Sequence, residues 1–220
     1  MGLMYNPAHF DESSPEALHA LIAAYPLGAL VTHGRSGLDA NHVPFELRAD
    51  EGELGVLHAH VARPNPVWRD VTNGDEVLVV FRVADAYVSP NWYPSKHESH
   101  KQVPTWNYIV AHAHGRITIH DDEAYVRGVV SRLTAAHEEH RPEPWRMSDS
   151  APGYIDAMVK GIVGLEIRVT RLVGKAKLSQ NREERDLRSA AHVLKAEGHP
   201  LIGDAMLARA DQGRGRQGRP

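Results

Sequence analysis

Trp92, Tyr93, Trp106 and Tyr108 flank a polar stretch, Ser95 to Gln102, that carries Lys96, His97, His100 and Lys101. Aromatic walls beside cations suit a flat, anionic ligand, because rings offer stacking area and ammonium groups offer charge-assisted hydrogen bonds. The same residues equally suit a long hairpin whose Trp and Tyr side chains finish a core. A second group, His60-Val61-Ala62-Arg63-Pro64-Asn65-Pro66, stands where a strand ends and a helix starts. There Arg63 offers a bidentate fork and the helix start offers backbone N–H groups, a combination that holds a phosphate; a capped surface helix with a solvated arginine reads the same way. In Gly174 to Asn181, Lys175 and Lys177 lie on one side of an extended segment, where they reach an anion or simply discourage edge pairing. Two His-Ala-His pairs, His58/His60 and His112/His114, direct imidazoles to one strand face, and adjacent strands would let them converge on a metal. Strand histidines are more often hydrogen-bonded or solvated, so no metal ligands are assigned. No Ser-nucleophile motif, P-loop or GxGxxG turn occurs.

The elements that must position these residues follow from periodicity and punctuation. Ser14-Pro15-Glu16 caps a first helix carrying Leu18, Leu21 and Ile22, ending near Tyr25-Pro26. Leu27 to His33 and Asn41 to Leu47 form a hairpin about Gly34 to Gly37, and Leu54 to Val61 is a third strand. Asn65-Pro66 starts a short helix through Trp68 and Val71. Strands are expected at Glu76 to Val83, Tyr87 to Ser89, Tyr108 to Ile119 and Val163 to Val173. Asp121 or Asp122 caps a helix running to about Glu139, with Tyr125, Val129, Val130 and Leu133 as its apolar stripe, and a short helix covers Tyr154 to Val159. Beyond Asn181 a charged helix stops at Gly198, a second runs from Asp204 to Arg209, and Gln212 to Pro220 reads as disordered. Short strands with inserted helices, and no regular βαβ alternation, favour an antiparallel barrel. The expected division is 1–181 as the barrel domain, 182–211 as a helical extension and 212–220 as a tail.

Composition narrows the classes. At 220 residues and 42% hydrophobic content the chain supports one sizeable core. The absence of cysteine removes disulfides, thiolate nucleophiles and iron–sulfur ligation, and fits a reducing cytoplasm. No apolar run approaches a membrane span, and MGLMYNPAHF lacks the features of a signal peptide or a myristoylation site. With 25 basic and 28 acidic residues the net charge is -3, which argues mildly against a strong duplex-DNA binder, while 15 histidines would add charge in mild acid.

VSPNWYPSK followed by VPTWNY, with HVARPNP upstream and GKAKLSQN downstream, resembles the PaiB-like family of FMN-binding negative transcriptional regulators. These are relatives of the pyridoxamine-phosphate-oxidase-type split barrels, and the resemblance is collinear from about Met4 to about Asn181. It implies a mainly β, α+β fold: an antiparallel split barrel with peripheral helices. It also implies a cytoplasmic homodimer with FMN between subunits, and it raises promoter DNA as a partner. The implied cofactor residues are Arg63 and Asn65 at the phosphate, with His60 and Ala62 beside them, Asn41 and His42 along the flavin, and Trp106, Asn107, Lys177 and Gln180 elsewhere. Ala176 stands where the family usually has an aromatic residue, which weakens stacking at that position. An FMN-dependent oxidoreductase, with Tyr93, Tyr108 or histidines as proton donors, is the alternative; a metal enzyme using the strand histidines is the third.

Overall fold

The structure is a computed structural model that describes residues 4–217, with side chains described through Gln212. Its eight strands are β1 (Asp11–Glu12), β2 (Leu27–Gly34), β3 (Gly37–Pro44), β4 (Glu46–Arg48), β5 (Val56–Ala62), β6 (Glu76–Val88), β7 (Thr105–His120) and β8 (Ile162–Lys177). Its helices are α1 (Pro15–Ala24), α2 (Val67–Asp70), α3 (Pro94–Ser99), α4 (Glu123–Glu138), α5 (Tyr154–Lys160), α6 (Glu184–Ala196) and α7 (Pro200–Gln217). The strands make one antiparallel sheet in the order β3-β2-β6-β7-β8-β5-β4, with β1 paired to β8. The path is open, so the sheet is a split barrel that does not close.

The chain divides into two compact units: unit 1 is Met1–Ser13, Arg82–Val110 and Gly174–Pro220, and unit 2 is Ser14–Phe81 and Ala111–Val173. This grouping rests on contacts, whereas the expected division at Asn181 rests on a change in composition. Unit 2 has its own core, in which Leu30, Leu57, Val79, Phe81, Ala111, Ile117, Leu165 and Ile167 are completely buried. Unit 1 has another, built from Val88, Tyr93, Ala190, Ala191, Leu194, Ile202 and Met206. Cores of this kind supply the hydrophobic driving force, at roughly 25 cal/mol per Å² of apolar surface removed from water.

Local signals account for most boundaries. Ser14 Oγ accepts from the Ala17 N–H at 3.2 Å and Pro15 opens α1, which buries Leu18 and Ile22. Asp122 caps α4 by accepting from the Tyr125 N–H at 2.7 Å. The buried stripe of α4 is Val126, Val129 and Leu133, so Val126 rather than Val130 faces the core. α6 ends in a Schellman turn: the His199 N–H donates to Leu194 O at 2.8 Å while Gly198 holds φ +90°.

Several expectations change. The region Glu76 to Ser89 is one strand rather than two, and β7 starts at Thr105, which puts Trp106 and Asn107 on a strand. β8 runs on to Lys177 because β1 pairs with it, Asp11 opposite Lys175. The polar stretch after Tyr93 is not an open loop. It folds as α3, whose Ser95 N–H and hydroxyl both donate to buried Asp186, at 3.0 and 2.5 Å. α7 starts at Pro200 and runs to Gln217, so the turn after α6 is only residues 197–199 and the helix continues through 212–217; the remainder of the expected tail, 218–220, lies outside the described residues. Proline at N1 and the αL glycine two residues before it make that short turn possible.

Candidate functional site

In unit 2, β5 delivers Arg63 just past its end. The guanidinium forks onto Asp121, Nη1 to Oδ2 at 3.0 Å and Nη2 to Oδ1 at 2.6 Å, while Nε donates to Lys160 O at 2.8 Å. Asp121 holds the guanidinium above its usual pKa, and Arg63 holds the carboxyl below its own. The expected phosphate fork is therefore already committed to a carboxylate. The helix start beside it is equally occupied: α2 is a single turn, the Val67 N–H donates to Asn65 Oδ1 at 3.0 Å, and the Arg69 and Asp70 N–H groups donate to Pro66 O. Ala62 is exposed and its carbonyl accepts from the Asn65 N–H.

Two expected residues do meet here. Asn65 Nδ2 donates to Asn41 Oδ1 at 2.8 Å, and Asn41 Nδ2 donates to Asp39 at 2.8 Å. His42 is exposed beside them on β3. His60 Nδ1 is buried and has no partner among the described residues, and burial lowers the imidazole pKa. An orphaned ring nitrogen of that kind suits the polar edge of a ligand better than it suits solvent. His60 also lines a cavity of about 300 Å³ with Pro44, Leu133, Thr134, His137, Glu138 and Trp145.

Of the histidine pairs, His58 serves structure. His58 is 5% exposed, its Nδ1 2.8 Å from the Tyr125 hydroxyl and its Nε2 3.0 Å from Glu51 Oε2. Tyr125 donates to Leu165 O at 3.2 Å, stacks on His120 at 3.8 Å, and has its pKa pushed up by burial and then by Glu166. His120 in turn contacts Glu166 at 3.1 Å. His112 and His114 stand 6.5 Å apart with lowered pKa values, from burial first and then from Arg171. Among the described residues no group of three or more His, Cys, Asp or Glu is placed to hold a metal.

In unit 1 the aromatic residues separate by role. Tyr93 is fully buried in the core, whereas Trp106 is 54% exposed and meets the ring of Tyr87 edge-on at 6.0 Å. Trp106 and Tyr108 share one face of β7 because they are two residues apart. Asn107 points the other way and is completely buried, its amide bonded to Ser179 Oγ at 3.0 Å and Met206 Sδ at 3.3 Å. Gln180 is likewise turned inward, donating to Ala176 O at 2.5 Å and accepting from the Leu178 N–H at 2.6 Å. Lys177 donates to Thr105 Oγ1 at 2.5 Å. Buried Lys175 donates to Tyr5 O at 2.8 Å, with the Tyr5 and Tyr108 rings at 5.4 and 5.6 Å. Asn107 and Gln180 were expected to face a ligand, and instead they satisfy buried polar atoms. Asp121, Tyr125 and Arg182 matter here without a local signal, since each acts through a partner distant in sequence.

Residues 4–171 match the family described as "Putative FMN-binding domain". "Protease synthase and sporulation protein PAI 2" of Bacillus subtilis (strain 168) is 30% identical over 197 residues, covering 90% of this chain and 92% of that relative. The solved flavocytochrome Anf3 from Azotobacter vinelandii shares the fold with a TM-score of 0.58 at 12% identity, over 76% of this chain and 69% of its own. A solved FAD and heme binding protein from Mycobacterium smegmatis gives a TM-score of 0.55 at 18% identity, over 76% and 73%. At such identities those two structures speak for the fold alone, while the family match spans most of the chain. The residues of unit 1 accommodate a flavin in kind, with the exposed indole of Trp106 for stacking and Lys177, bonded to Thr105 just before Trp106 in the chain, for charge. An open antiparallel split barrel, matched by this family over residues 4–171, places the chain in the PaiB-like FMN-binding split-barrel family, with FMN as its cofactor.

Proposed function

We propose that the chain is a cytoplasmic, homodimeric FMN-binding regulator of the PaiB type, with the flavin held where two copies meet. The observation that carries this reading is in unit 1, where the rings of Trp106 and Tyr87 meet edge-on and both stand exposed. Large aromatic rings left on one sheet face suit a ligand or a second copy better than they suit water. The 30% identity to PAI 2, over 90% of this chain and 92% of that one, supports a regulatory role. When bound, FMN supplies reversible electron transfer. The protein's part is to hold it and set its polarity, and in unit 1 that falls to Trp106 as a stacking surface and Lys177 as a positive charge. The test is flavin absorbance of the protein as purified, FMN titration of the stripped protein and sedimentation of both forms. Tight flavin binding by a dimer supports the reading; a flavin-free monomer that takes up no FMN overturns it.

A second reading, an FMN-dependent oxidoreductase acting on a small molecule, has an observation in its favour. α6 and α7 are joined by a three-residue turn as in helix-turn-helix proteins, yet their described charges are internally paired. Lys195 pairs with Asp204, Arg188 with Asp211 and Arg209 with Glu12, so among the described residues of α6 and α7 these cations are not free for a phosphate backbone. On this reading gene expression responds to what the flavin site consumes. Gel shifts on promoter fragments and oxidation of reduced nicotinamide by the holoprotein separate the two: specific retardation favours the regulator, and turnover with a defined acceptor favours the enzyme.

A further inference from the structure

Lys175, Lys177 and Arg182 belong to unit 1, and none of the three forms an ion pair among the described residues although Lys175 is buried. Among the described residues the arginines on α6 and α7 do, Arg185 with Glu98 and Glu183, Arg188 with Glu184 and Asp211, Arg209 with Glu12. Lys175 is only 8% exposed, so its ammonium is largely removed from water with a single carbonyl and two aromatic faces for company. Lys177, two residues along β8 and on the same face, has a hydroxyl for its partner. Arg182 lies over the Tyr93 ring at 5.6 Å.

The neighbouring acids form no ion pair with them. Asp11, opposite Lys175 in the β1–β8 register, takes the Asn6 amide at 2.5 Å; Asp186 takes Ser95; Glu183 takes Arg185. Burial, then the charges of Lys175 and Arg182, hold the Lys177 ammonium below the usual lysine range, with Tyr108 opposing. Grouped cations without a counter-ion are costly in a partly desolvated place, and an arriving anion removes that cost. The face of β7 that carries Tyr108, whose ring lies 5.6 Å from the Lys175 ammonium, also carries exposed Trp106, which with Tyr87 offers stacking area to a planar group. The fork of Arg63, by contrast, already has its carboxylate.

We propose that Lys175, Lys177 and Arg182, together with the Trp106 and Tyr108 face of β7, form a binding site for a phosphate carried on a planar aromatic compound. Two sources share this chemistry: the phosphate of FMN itself, in which case the inference rests on the flavin reading above, or that of a second phosphorylated aromatic ligand such as a nicotinamide dinucleotide.

The experiment uses the full chain stripped of flavin, with Lys177→Met, Arg182→Met and the charge-retaining Lys177→Arg, each first shown by thermal melting to be folded. FMN and riboflavin are titrated by flavin fluorescence, and phenyl phosphate against phenol by tryptophan emission, with Trp106→Phe identifying the reporter. The wild type is expected to prefer FMN over riboflavin and phenyl phosphate over phenol. Both Met variants are expected to reduce these preferences at least tenfold, with riboflavin affinity unchanged and Lys177→Arg close to wild type. Loss of the phenyl phosphate preference with the FMN preference intact assigns the site to the second ligand. A wild type that takes no FMN but binds phenyl phosphate in a Lys177-dependent way sinks the flavin reading and keeps the site. Preferences that survive in both Met variants overturn the proposal.

Discussion

Arg63 shows how a residue chosen for the right chemistry can be committed to something else. Its fork, its Nε and the carbonyls of Lys160 and Ile162 tie the end of β5 to neighbouring backbone, and Asp121 completes the pair. Replacing Arg63 with Ala should lower the melting temperature while changing FMN affinity by less than about threefold, whereas removal of a charge-assisted phosphate bond would cost tenfold or more. Isothermal titration of both proteins decides between them. Tyr125 is the converse case, a side chain with no motif around it that links three elements through one hydroxyl. Tyr125→Phe leaves buried His58 without its Nδ1 partner and should cost about 1–3 kcal/mol, read from urea midpoints. The histidines with lowered pKa values, His60, His112 and His114, give a pH dependence of definite sign. Because the unfolded chain binds protons more readily than the folded one, their contribution is complete above about pH 6.5 and is lost as pH falls through the lower folded values. Urea midpoints should therefore decline from about pH 7 toward about pH 5, and His60→Gln with His112→Gln should flatten the decline. An unchanged slope in that double variant would refute the assignment.

At the level of elements, close approach of backbones does what side-chain pattern cannot reveal. A Cβ on Gly203 of α7 would stand 2.8 Å from Ala191 O on α6 and press on Lys195 Cγ, so the two helices cross where only glycine fits. Gly203→Ala should destabilise the protein by about 1–3 kcal/mol despite the helix propensity of alanine, and a gain in stability would show that the crossing relaxes at little cost. β6 is instructive for another reason. Val77, Val79 and Phe81 are buried at odd positions, then Ala86 and Val88 at even ones, so a period-2 reading breaks in the middle and suggests two strands. The hydrogen-bonded ladder is indifferent to which side chains are buried, and it continues through the change. α3 also escaped local reading, since a six-residue helix is marginal by itself and this one is anchored by Asp186 and by the Arg185–Glu98 pair, each far away in sequence.

For the molecule as a whole, the open sheet and the exposed rings of unit 1 set the expectation for assembly. Trp106→Lys should shift sedimentation of the holoprotein toward monomer and weaken FMN together, while a Trp106→Lys protein that remains a flavin-loaded dimer would place the contact elsewhere. The antiparallel sheet class, the caps of α1 and α4, the collinear family motifs and the pairing of aromatic with cationic residues were all legible along the chain, because each depends on neighbours within a few residues or on order alone. The residue types proposed for the flavin site were legible in the same way, but not their orientation. Only the tertiary structure turned Asn107 and Gln180 inward, paired Arg63 with Asp121, joined Asn41 to Asn65 and left Lys175, Lys177 and Arg182 without a carboxylate. Which partner a polar group finds depends on what distant segments bring to it and on how much water they exclude, and neither quantity is written in local spacing.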